Sequence, residues 1–306
     1  MTTTVSVFAP ATVANLGPGY DVIGLALEAP GDTVHASRCP GTGARVSRVT
    51  GVHDRLPPVG VDNTAAVAAR LTLERLGNPF ALEIELHKGL PLGSGLGSSG
   101  ASAAAGAFAA NLLAGSPLDV EELVEACAQA EASACGSAHA DNVTPALLGG
   151  VTLVRSTTDV TRIHTALELH VAVVSPRQEL STRLSREAIP AAIPVADAIH
   201  NVAHLASLVY ALTVGDLDLL QRSLVDHIAE PRRAGLIPGF AEAKRAATET
   251  GALGASISGA GPAVFALCHT LEVAKAVGAA MVAAFRGEAA LHVSPVAEQG
   301  AREVDR

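Results

Sequence analysis

Residues 91–102 read PLGSGLGSSGAS, a loop of glycines and serines that runs directly into the alanine-rich segment 103–110. Glycine carries no Cβ, so consecutive backbone N–H groups of such a loop can converge on an anion. The alanine-rich segment has helical composition, and the N-terminus of a helix adds positive partial charge at the same point. Ser98 and Ser99 lie near this helix start and offer hydroxyls to a phosphate or to a metal bound to it. The stretch therefore predicts a polyphosphate site.

Two common phosphate loops fit this stretch poorly. A Walker A loop ends in Gly-Lys-Ser/Thr, and no lysine follows these glycines. Residues 95–100 match the dinucleotide pattern G-x-G-x-x-G, but residues 82–88 before them alternate apolar and charged side chains. The first strand of a dinucleotide-binding sheet is buried on both faces and is apolar throughout. The acid expected about 20 residues later falls near Asp119, which is spaced from Glu122 as a helix N-cap from its capping-box partner. A dinucleotide site is therefore disfavoured.

The composition describes an acidic protein with an aliphatic core. Of the 306 residues, 49% are hydrophobic and only 3% aromatic, there is no tryptophan, and the net charge is −9 at pH 7. The length and the mean hydropathy of +0.35 allow one large domain or two of ordinary size. Because few aromatic rings are available for base stacking and an acidic surface repels a phosphate backbone, nucleic-acid binding is not expected.

The N-terminal residues and the cysteines favour a cytoplasmic protein without a membrane segment. Residues 1–7 lack the basic start and apolar core of a signal peptide, and no stretch approaches ~18 uninterrupted strongly apolar residues. The cysteines show no CxxC spacing, which indicates reduced, small apolar residues rather than a metal site. They are Cys39, Cys127, Cys135 and Cys268.

Hydrophobic patterning predicts an α+β chain of two parts, residues 1–158 and 159–306, with the polar Thr/Ser-rich run 156–162 at the junction. In the second part, the pattern predicts the order strand-helix-helix-strand-helix-strand, which is compatible with a split βαβ sandwich. The predicted strands are residues 5–8, 32–37, 45–49, 82–88, 151–154, 170–174, 263–267 and 289–293. The predicted helices are residues 63–76, the loop and helix over 93–113, and residues 119–134, 196–214, 217–228, 239–250 and 271–285.

Five ordered segments carry a family resemblance. Residues 91–99 read PLGSGLGSS, residues 9–21 read APATVANLGPGYD, and residues 254–262 read GASISGAGP. Residues 139–145 read HADNVTP, and residues 229–233 read AEPRR. Together they resemble the glycine blocks and substrate segments of the GHMP kinases and, within that family, those of the homoserine kinases. The resemblance spans nearly the whole chain.

The resemblance implies the two-domain GHMP kinase fold, with a ribosomal-S5-like N-terminal domain, a ferredoxin-like C-terminal domain and an active site in the cleft between them. It implies an enzyme of threonine biosynthesis that uses ATP and Mg²⁺ to phosphorylate the hydroxyl of L-homoserine, and it allows a homodimer. It places Asn63 near the adenine, Lys88 near the phosphates, and the loop backbone on the β- and γ-phosphates. The implied ATP positions are Asn63, Lys88, Pro91, Leu92, Gly93, Ser94, Gly95, Leu96, Gly97, Ser98, Ser99, Gly100 and Ala101.

The resemblance also assigns the metal and the acceptor. Ser99, with Ser98 as the alternative, and Glu131 match the Mg²⁺ ligands, and Glu131 is an acid in an otherwise apolar helical stretch. The acceptor is a small zwitterion, which needs an acid for its ammonium and an arginine for its carboxylate. Arg183 stays a rival to Arg186, because Ser185 replaces the family's usual alanine. The implied acceptor positions are Asn15, Asp21, His139, Asn142, Arg186 and Arg233.

Asn142 is the most diagnostic position of the resemblance. Many GHMP kinases carry an aspartate at this position, which takes the proton of the substrate hydroxyl. The resemblance implies that homoserine kinases are an exception and carry asparagine. An amide is no base at neutral pH, so transfer would depend on alignment, Mg²⁺ and charge stabilisation. Asp141 beside it stays a candidate base. The catalytic residues so implied are Asn142, Glu131, Ser99, Arg186 and Arg233.

Other kinds of catalytic site find less support. Ser137, His139 and Asp141 are too close in sequence for a usual hydrolase triad, and the chain has no G-x-S-x-G elbow. Residues 200–204 read HNVAH and mimic a zinc-protease helix, but asparagine replaces the glutamate that would act as base.

Two other functional classes stay open at this point. A non-catalytic nucleotide-binding regulator would have no need of the metal site at Ser99 and Glu131. A nicotinamide oxidoreductase predicts tight NAD binding without ATP turnover.

Overall fold

The computed structural model describes residues 3–51, 56–135, 140–178, 180–285 and 288–305. The first elements are β1 (Thr4–Ala14), β2 (Ile23–Cys39), β3 (Ala44–Gly51), α1 (Thr64–Arg75), β4 (Ala81–Lys88), α2 (Ser98–Leu113), α3 (Val120–Cys135), α4 (Ala140–Leu148), β5 (Val151–Ser156) and β6 (Asp159–Ile163). The others are β7 (His170–Pro176), α5 (Thr182–Glu187), α6 (Val195–Val214), α7 (Leu217–Ser223), α8 (Glu230–Arg233), a 3₁₀ turn (Ala234–Leu236), α9 (Phe240–Glu249), β8 (Gly254–Ile257), β9 (Val264–Cys268), α10 (Leu271–Ala284), β10 (Ala289–Pro295) and β11 (Arg302–Glu303). The mixture of helices and strands confirms the predicted α+β class.

The larger sheet holds seven strands of the described chain and supports the glycine loop. Its path is β11-β1-β2-β4-β3, β5 pairs with β2, and β6 pairs with β5. Helix α2, which follows the loop, packs on β1 and β2 and against α1, α3 and α4. Its small side chains permit this central place, since 13 of its 16 residues are buried. A Cβ at Gly106 would collide with the backbone oxygen of Ala65 in α1, so glycine sets how closely these two helices pack.

The smaller sheet has the order β10-β7-β9-β8, and all its neighbouring strands are antiparallel. Helices α9 and α10 lie between its strands in the chain and contribute to its core, which confirms the predicted ferredoxin-like arrangement. Strand β8 was not predicted, because its four residues belong to a glycine block. Helices α6 and α7 follow β7 but bury Leu208, Leu212 and Leu220 in the core of the larger sheet.

The predicted junction between residues 158 and 159 falls within a strand pair of the larger sheet. That point lies at the tip of the β5–β6 hairpin, and β6 extends the larger sheet. The polar run 156–162, which predicted a junction, forms the turn and the solvent-exposed face of this hairpin, while Val160 and Ile163 are buried. The larger sheet also recruits residues from beyond the smaller one, because Val296 bridges to Leu27 and β11 pairs with β1.

Helix α6 is the one described helix that is long and apolar enough, by length and composition, to cross a membrane. No such span was predicted, because His200, Asn201 and His204 interrupt its apolar run. Only 22% of its most apolar 18-residue window is buried. Leu208 and Leu212 face the core, and the opposite side exposes an apolar surface.

Local sequence signals explain several element boundaries. The Asn63 side chain accepts a hydrogen bond from the Ala65 N–H and caps α1. The predicted capping box is confirmed, because Asp119 and Glu122 each accept a hydrogen bond from the other's backbone N–H. Helix α4 was not predicted, since Pro145 within it is usually a helix breaker.

Candidate active site

The glycine loop lies between β4 and α2 in the conformation that its glycines permit. Gly93, Gly95 and Gly97 have φ of +65°, +81° and +66°, a region that L side chains rarely adopt. Helix α2 begins at Ser98, and no side chain caps it at Gly97. A Cβ at Gly97 would collide with the Thr12 hydroxyl. The loop therefore brings the positive end of α2 to the surface of a pocket, as anion binding requires.

Both sheets hold the loop. The Thr12 N–H of β1 donates to the Leu96 oxygen (3.1 Å). From the connection between β8 and β9 of the smaller sheet, the Ser258 hydroxyl donates to the Gly95 oxygen (2.6 Å) and the Ala263 N–H donates to the Ser94 oxygen (3.2 Å). The segment around residues 258–263 thus packs on the glycine loop, which places the loop where the two sheets meet.

A buried ion pair lies beneath the loop. The Lys88 ammonium donates to the Asp32 carboxylate, to the Ser98 backbone oxygen (2.8 Å) and to the Ser102 hydroxyl (2.9 Å). Asp32 also accepts from the backbone N–H groups of Gly89 (3.1 Å) and Leu90 (3.3 Å). Lys88 is 1% exposed. The predicted contact of Lys88 with the nucleotide phosphates is therefore not supported, because its ammonium ties the two ends of the loop to β2 from below.

Glu131 of α3 and Ser99 of α2 meet at the start of the loop helix. The Ser99 hydroxyl donates to Glu131 Oε2 at 2.8 Å, while Glu131 Oε1 is buried and has no partner among the described residues. Burial raises the pKa of Glu131 to about 7, against the lowering effect of the Ser99 hydrogen bond. An orphaned carboxylate oxygen beside a hydroxyl fits Mg²⁺, which takes one or two carboxylates together with phosphate oxygens and water. No cluster of three or more His, Cys, Asp or Glu that could hold a metal occurs in the described ranges.

Helix α4 brings Asn142 and Asp141 to the same pocket. The Thr12 hydroxyl donates to Asn142 Oδ1 (2.8 Å), which fixes the orientation of the amide. Asp141 is 3% exposed, and its Oδ1 has no partner within the part of the chain that is described. Burial, together with the nearby charge of Asp21, raises the pKa of Asp141 to about 7. His139, the predicted acceptor contact just before α4, lies outside the described residues.

A strained loop after β1 presents the predicted ammonium site. Asn15 and Asp21 have φ of +75° and +60°, which is uncommon for residues other than glycine and often marks functional sites. The Asn15 side chain holds this conformation, since its Oδ1 accepts from the Asp21 N–H (3.1 Å) and its Nδ2 donates to the Gly259 oxygen (3.0 Å).

Two arginines face this loop. Arg186, near the end of α5, donates to both oxygens of Asp21, at 2.9 and 3.3 Å. Arg233 is 2% exposed and donates to the oxygens of Ser185 and Gly259, both at 2.9 Å. The Tyr20 hydroxyl accepts from both arginines. Arg183 instead pairs with Glu187 on the exposed side of α5, so the geometry favours Arg186 for the acceptor.

One cavity of about 160 Å³ gathers most of the predicted residues. They are Asn15, Asp21, Leu92, Gly93, Ser94, Gly95, Gly97, Ser98, Ser99, Glu131, Asp141, Asn142, Arg186 and Arg233. Pro91, Leu96, Gly100 and Ala101 of the loop are not among its lining residues, and neither are Lys88 and Asn63. The Asn63 side chain has partners outside the cavity, because it caps α1 and donates to the Pro58 oxygen (2.9 Å).

Sequence reasoning missed several residues of this site. Leu180 and Thr182 line the cavity, as do Gly259 and Gly261 of the segment 254–262, to which no contact had been assigned. Thr12 lies in the segment 9–21, but its bond to Asn142 joins positions 130 residues apart. No local pattern signals such a contact.

Comparison with known proteins agrees with this geometry. The profile of the GHMP kinases N terminal domain matches residues 63–150, and that of the GHMP kinases C terminal matches residues 208–287. A homoserine kinase of Chlorobaculum tepidum is 42% identical over 316 residues, an alignment that covers 98% of each chain. The chain belongs to the homoserine kinases of the GHMP kinase family.

Solved structures of GHMP kinases share the fold. A crystal structure of homoserine kinase from Cytophaga hutchinsonii is 42% identical with a TM-score of 0.93, and the match covers 99% of this chain and 98% of that one. A mevalonate kinase of L. major in complex with R-mevalonate is 18% identical, has a TM-score of 0.74 and covers 98% and 97% of the two chains. At that identity the likeness concerns the GHMP kinase fold alone.

Proposed function

We propose that this protein transfers the γ-phosphoryl group of ATP to the side-chain hydroxyl of L-homoserine, which gives O-phospho-L-homoserine and ADP in threonine biosynthesis. The observation that carries the proposal is one cavity that joins a phosphate loop to the opposite charges of Asp21 and Arg186. A phosphate donor and a small zwitterion would meet there. The homoserine kinases that match over nearly the full chain support the same substrates.

The loop binds the phosphates through its backbone. The three glycines with positive φ and the first residues of α2 line the cavity, where their N–H groups would offset the charge of the β- and γ-phosphates. The proposed ATP segment is residues 91–101. Lys88 acts on the phosphates only through the position of this loop.

The acceptor lies across the cavity from the loop. Asp21, oriented by Asn15, takes the ammonium, and Arg186 and Arg233 take the carboxylate. This places the side-chain hydroxyl toward Asn142 and the loop. His139 stays a predicted acceptor contact.

Ser99 and Glu131 would hold Mg²⁺, whose charge stabilises the transferring phosphoryl group when it is bound. The orphaned Oε1 of Glu131 supports this assignment. Removal of divalent cations with a chelator should abolish turnover, and added Mg²⁺ should restore it.

In this proposal, the transfer depends on the alignment of the acceptor hydroxyl with the γ-phosphate rather than on a base. The hydroxyl oxygen attacks the γ-phosphorus while the bond to the β–γ bridging oxygen breaks, and ADP leaves with that electron pair. Because Asn142 Oδ1 accepts from Thr12, its NH₂ group is the one left to donate to the reacting oxygens. A loose transition state needs little proton removal early, so the hydroxyl proton can pass to solvent after transfer.

Asp141→Asn tests whether the neighbouring acid is required. We expect kcat to stay within about threefold of the wild type, since the transition state needs no strong base. A loss of about 10²-fold or more, the scale of general-base catalysis, would instead assign the proton to Asp141. Steady-state rates across pH 6–9 would distinguish the two results.

The same variant should be more stable than the wild type. Burial raises the pKa of Asp141 from 3.8 to about 7, so the folded protein retains a proton that the unfolded chain releases in this range. The wild type therefore loses stability as the pH rises from about 4 to about 7, and the amide removes this loss. Urea unfolding at pH 4.5 and pH 8 should show a larger advantage of Asp141→Asn at pH 8. Asp62→Asn, at an exposed position, is the matched control.

The function itself is tested by ADP release from Mg-ATP with L-homoserine, mevalonate, galactose or no acceptor. We expect release that depends on homoserine, with phosphohomoserine identified by mass. ATP binding without turnover of any acceptor would indicate a regulator. NAD binding without ATP binding would overturn the interpretation of the loop.

We propose further that two copies associate in the cytoplasm through α6, without a membrane or nucleic acid. The exposed side of α6 flanks an apolar groove of about 610 Å³, and residues 198–214 contain no Asp, Glu, Lys or Arg. Such a surface meets its own copy without like-charge repulsion. The exposed residues are Val195, Ile199, Val202, Tyr210 and Val214. Light scattering should give twice the 30.8 kDa chain mass; a monomer, or protein recovered only with detergent or nucleic acid, would contradict the proposal.

A further inference from the structure

The two side chains proposed for the opposite charges of the acceptor are bonded to each other. Arg186 Nη2 donates to Asp21 Oδ1 at 2.9 Å, and Arg186 Nη1 donates to Asp21 Oδ2 at 3.3 Å. Two parallel N–H···O bonds are the arrangement in which a guanidinium binds a carboxylate best. Asp21 thus occupies the edge of Arg186 that a substrate carboxylate would use.

This pairing makes the Asp21 side chain a competitor of the substrate. A carboxylate that binds Arg186 in the two-bond arrangement must displace Asp21 from it. An ammonium group on the same ligand then gives Asp21 a new partner. A ligand with both charges replaces both halves of the ion pair, whereas a ligand with one charge breaks the pair and replaces only one half of it.

The surroundings allow this exchange through the side chains alone. The backbone of Asp21 is fixed by Asn15, and α5 is fixed by the Ser185 hydroxyl, which donates to the Ala260 oxygen at 2.7 Å. The Asp21 and Arg186 side chains are 33% and 27% exposed, so water can reach both as they separate. Both elements are tied to residues 259–260, which keeps the distance between the two side chains within reach of one small ligand.

Arg233 does not take part in the exchange. Its guanidinium donates to the backbone oxygens of Ser185 and Gly259 and to the Tyr20 hydroxyl. Because it is 2% exposed and held by these bonds, it supplies a fixed positive charge. The competition is therefore specific to Arg186.

We propose that the Asp21–Arg186 ion pair is a specificity determinant that admits ligands carrying both an ammonium and a carboxylate and disfavours those carrying only one. This inference rests on the proposed function and concerns how its zwitterionic acceptor is selected over ligands with a single charge. It separates Asp21 from a simple ammonium contact, because Asp21 also opposes the binding of a lone carboxylate.

Asp21→Asn makes this distinction measurable, since its effect changes sign with the ligand. The affinity for homoserine should fall by about tenfold or more, because the ammonium loses a charged partner. The affinity for 4-hydroxybutyrate, which is homoserine without its amino group, should rise about threefold, the scale of a partly exposed ion pair. Asparagine adopts positive φ as readily as aspartate, so the loop conformation is retained.

The measurement is calorimetric titration of each ligand into the protein with Mg²⁺ and a non-hydrolysable ATP analogue. Arg183→Gln is the matched control, because Arg183 lies on the same helix in an exposed pair with Glu187. It should change neither affinity. The mirror variant Arg186→Gln should bind 2-amino-1,4-butanediol, which lacks the carboxylate, about threefold more tightly than the wild type does.

Unchanged or weaker binding of 4-hydroxybutyrate by Asp21→Asn, together with unchanged binding of the diol by Arg186→Gln, would overturn the inference. Homoserine-dependent ADP release by the wild type is measured first. If that release is absent, the proposed function fails and the inference fails with it. If release is present and the two single-charge ligands do not respond, the inference alone fails.

Discussion

Glu131→Gln lowers kcat by about 10²- to 10³-fold, the loss expected when one charge-stabilising group is removed from a transition state. Glutamine keeps the size of the side chain and an oxygen for Ser99, but it cannot neutralise a divalent cation. Within the described residues, Glu131 is the carboxylate in contact with Ser99, and its Oε1 has no other partner. The Mg²⁺ concentration for half-maximal activity should rise in parallel.

Glu125→Gln is the matched control for this variant. Glu125 lies earlier on α3 and forms a partly exposed ion pair with Arg75, away from the cavity. Its kcat and Mg²⁺ dependence should equal those of the wild type. A Glu131→Gln enzyme with normal Mg²⁺ dependence would show that the metal is held elsewhere.

Lys88→Met lowers the free energy of unfolding by about 3–5 kcal/mol, the cost of leaving one member of a buried ion pair without its partner. The side chains of Lys88 and Asp32 are 2% and 0% exposed, so water cannot replace the lost ammonium. Urea unfolding would measure the change. Substitution of both residues, Lys88→Met with Asp32→Asn, should recover part of the loss, because no buried charge then remains.

An exposed pair provides the comparison for this loss. Arg45 and Glu83 join β3 to β4 with side chains 63% and 41% exposed. Arg45→Met should therefore unfold at the same urea concentration as the wild type. Equal effects of Lys88→Met and Arg45→Met would contradict the role of the buried pair.

Local sequence patterns predicted the parts of this protein that depend on local chemistry. The loop 91–102 requires glycine where φ is positive, and the Asp119–Glu122 box requires only a three-residue spacing, so both were visible in the sequence. The family resemblance then brought Asn15, Asp21, Glu131 and the two arginines together before any distance was known.

Contacts between distant segments could not be predicted in the same way. Lys88 precedes the glycine loop, and its position there suggested a phosphate contact. Its partner Asp32 lies 56 residues earlier, and nothing near either residue indicates their pairing. Asn63 was equally ambiguous, because an asparagine before a helix serves as a cap or as a ligand, and the structure shows the cap.

The return of residues 296–304 to the larger sheet has a consequence for synthesis on the ribosome. Strand β1 obtains its outer neighbour β11 only after the whole smaller sheet has been translated. Until then β1 is an open edge, which can pair with another nascent chain. The Val304 N–H, which donates to the Ser6 oxygen (2.9 Å), and Arg302, whose guanidinium lies over the Phe8 ring, then cover that edge. Newly made protein is therefore expected to need a chaperone most while only the first half of the chain has been synthesised.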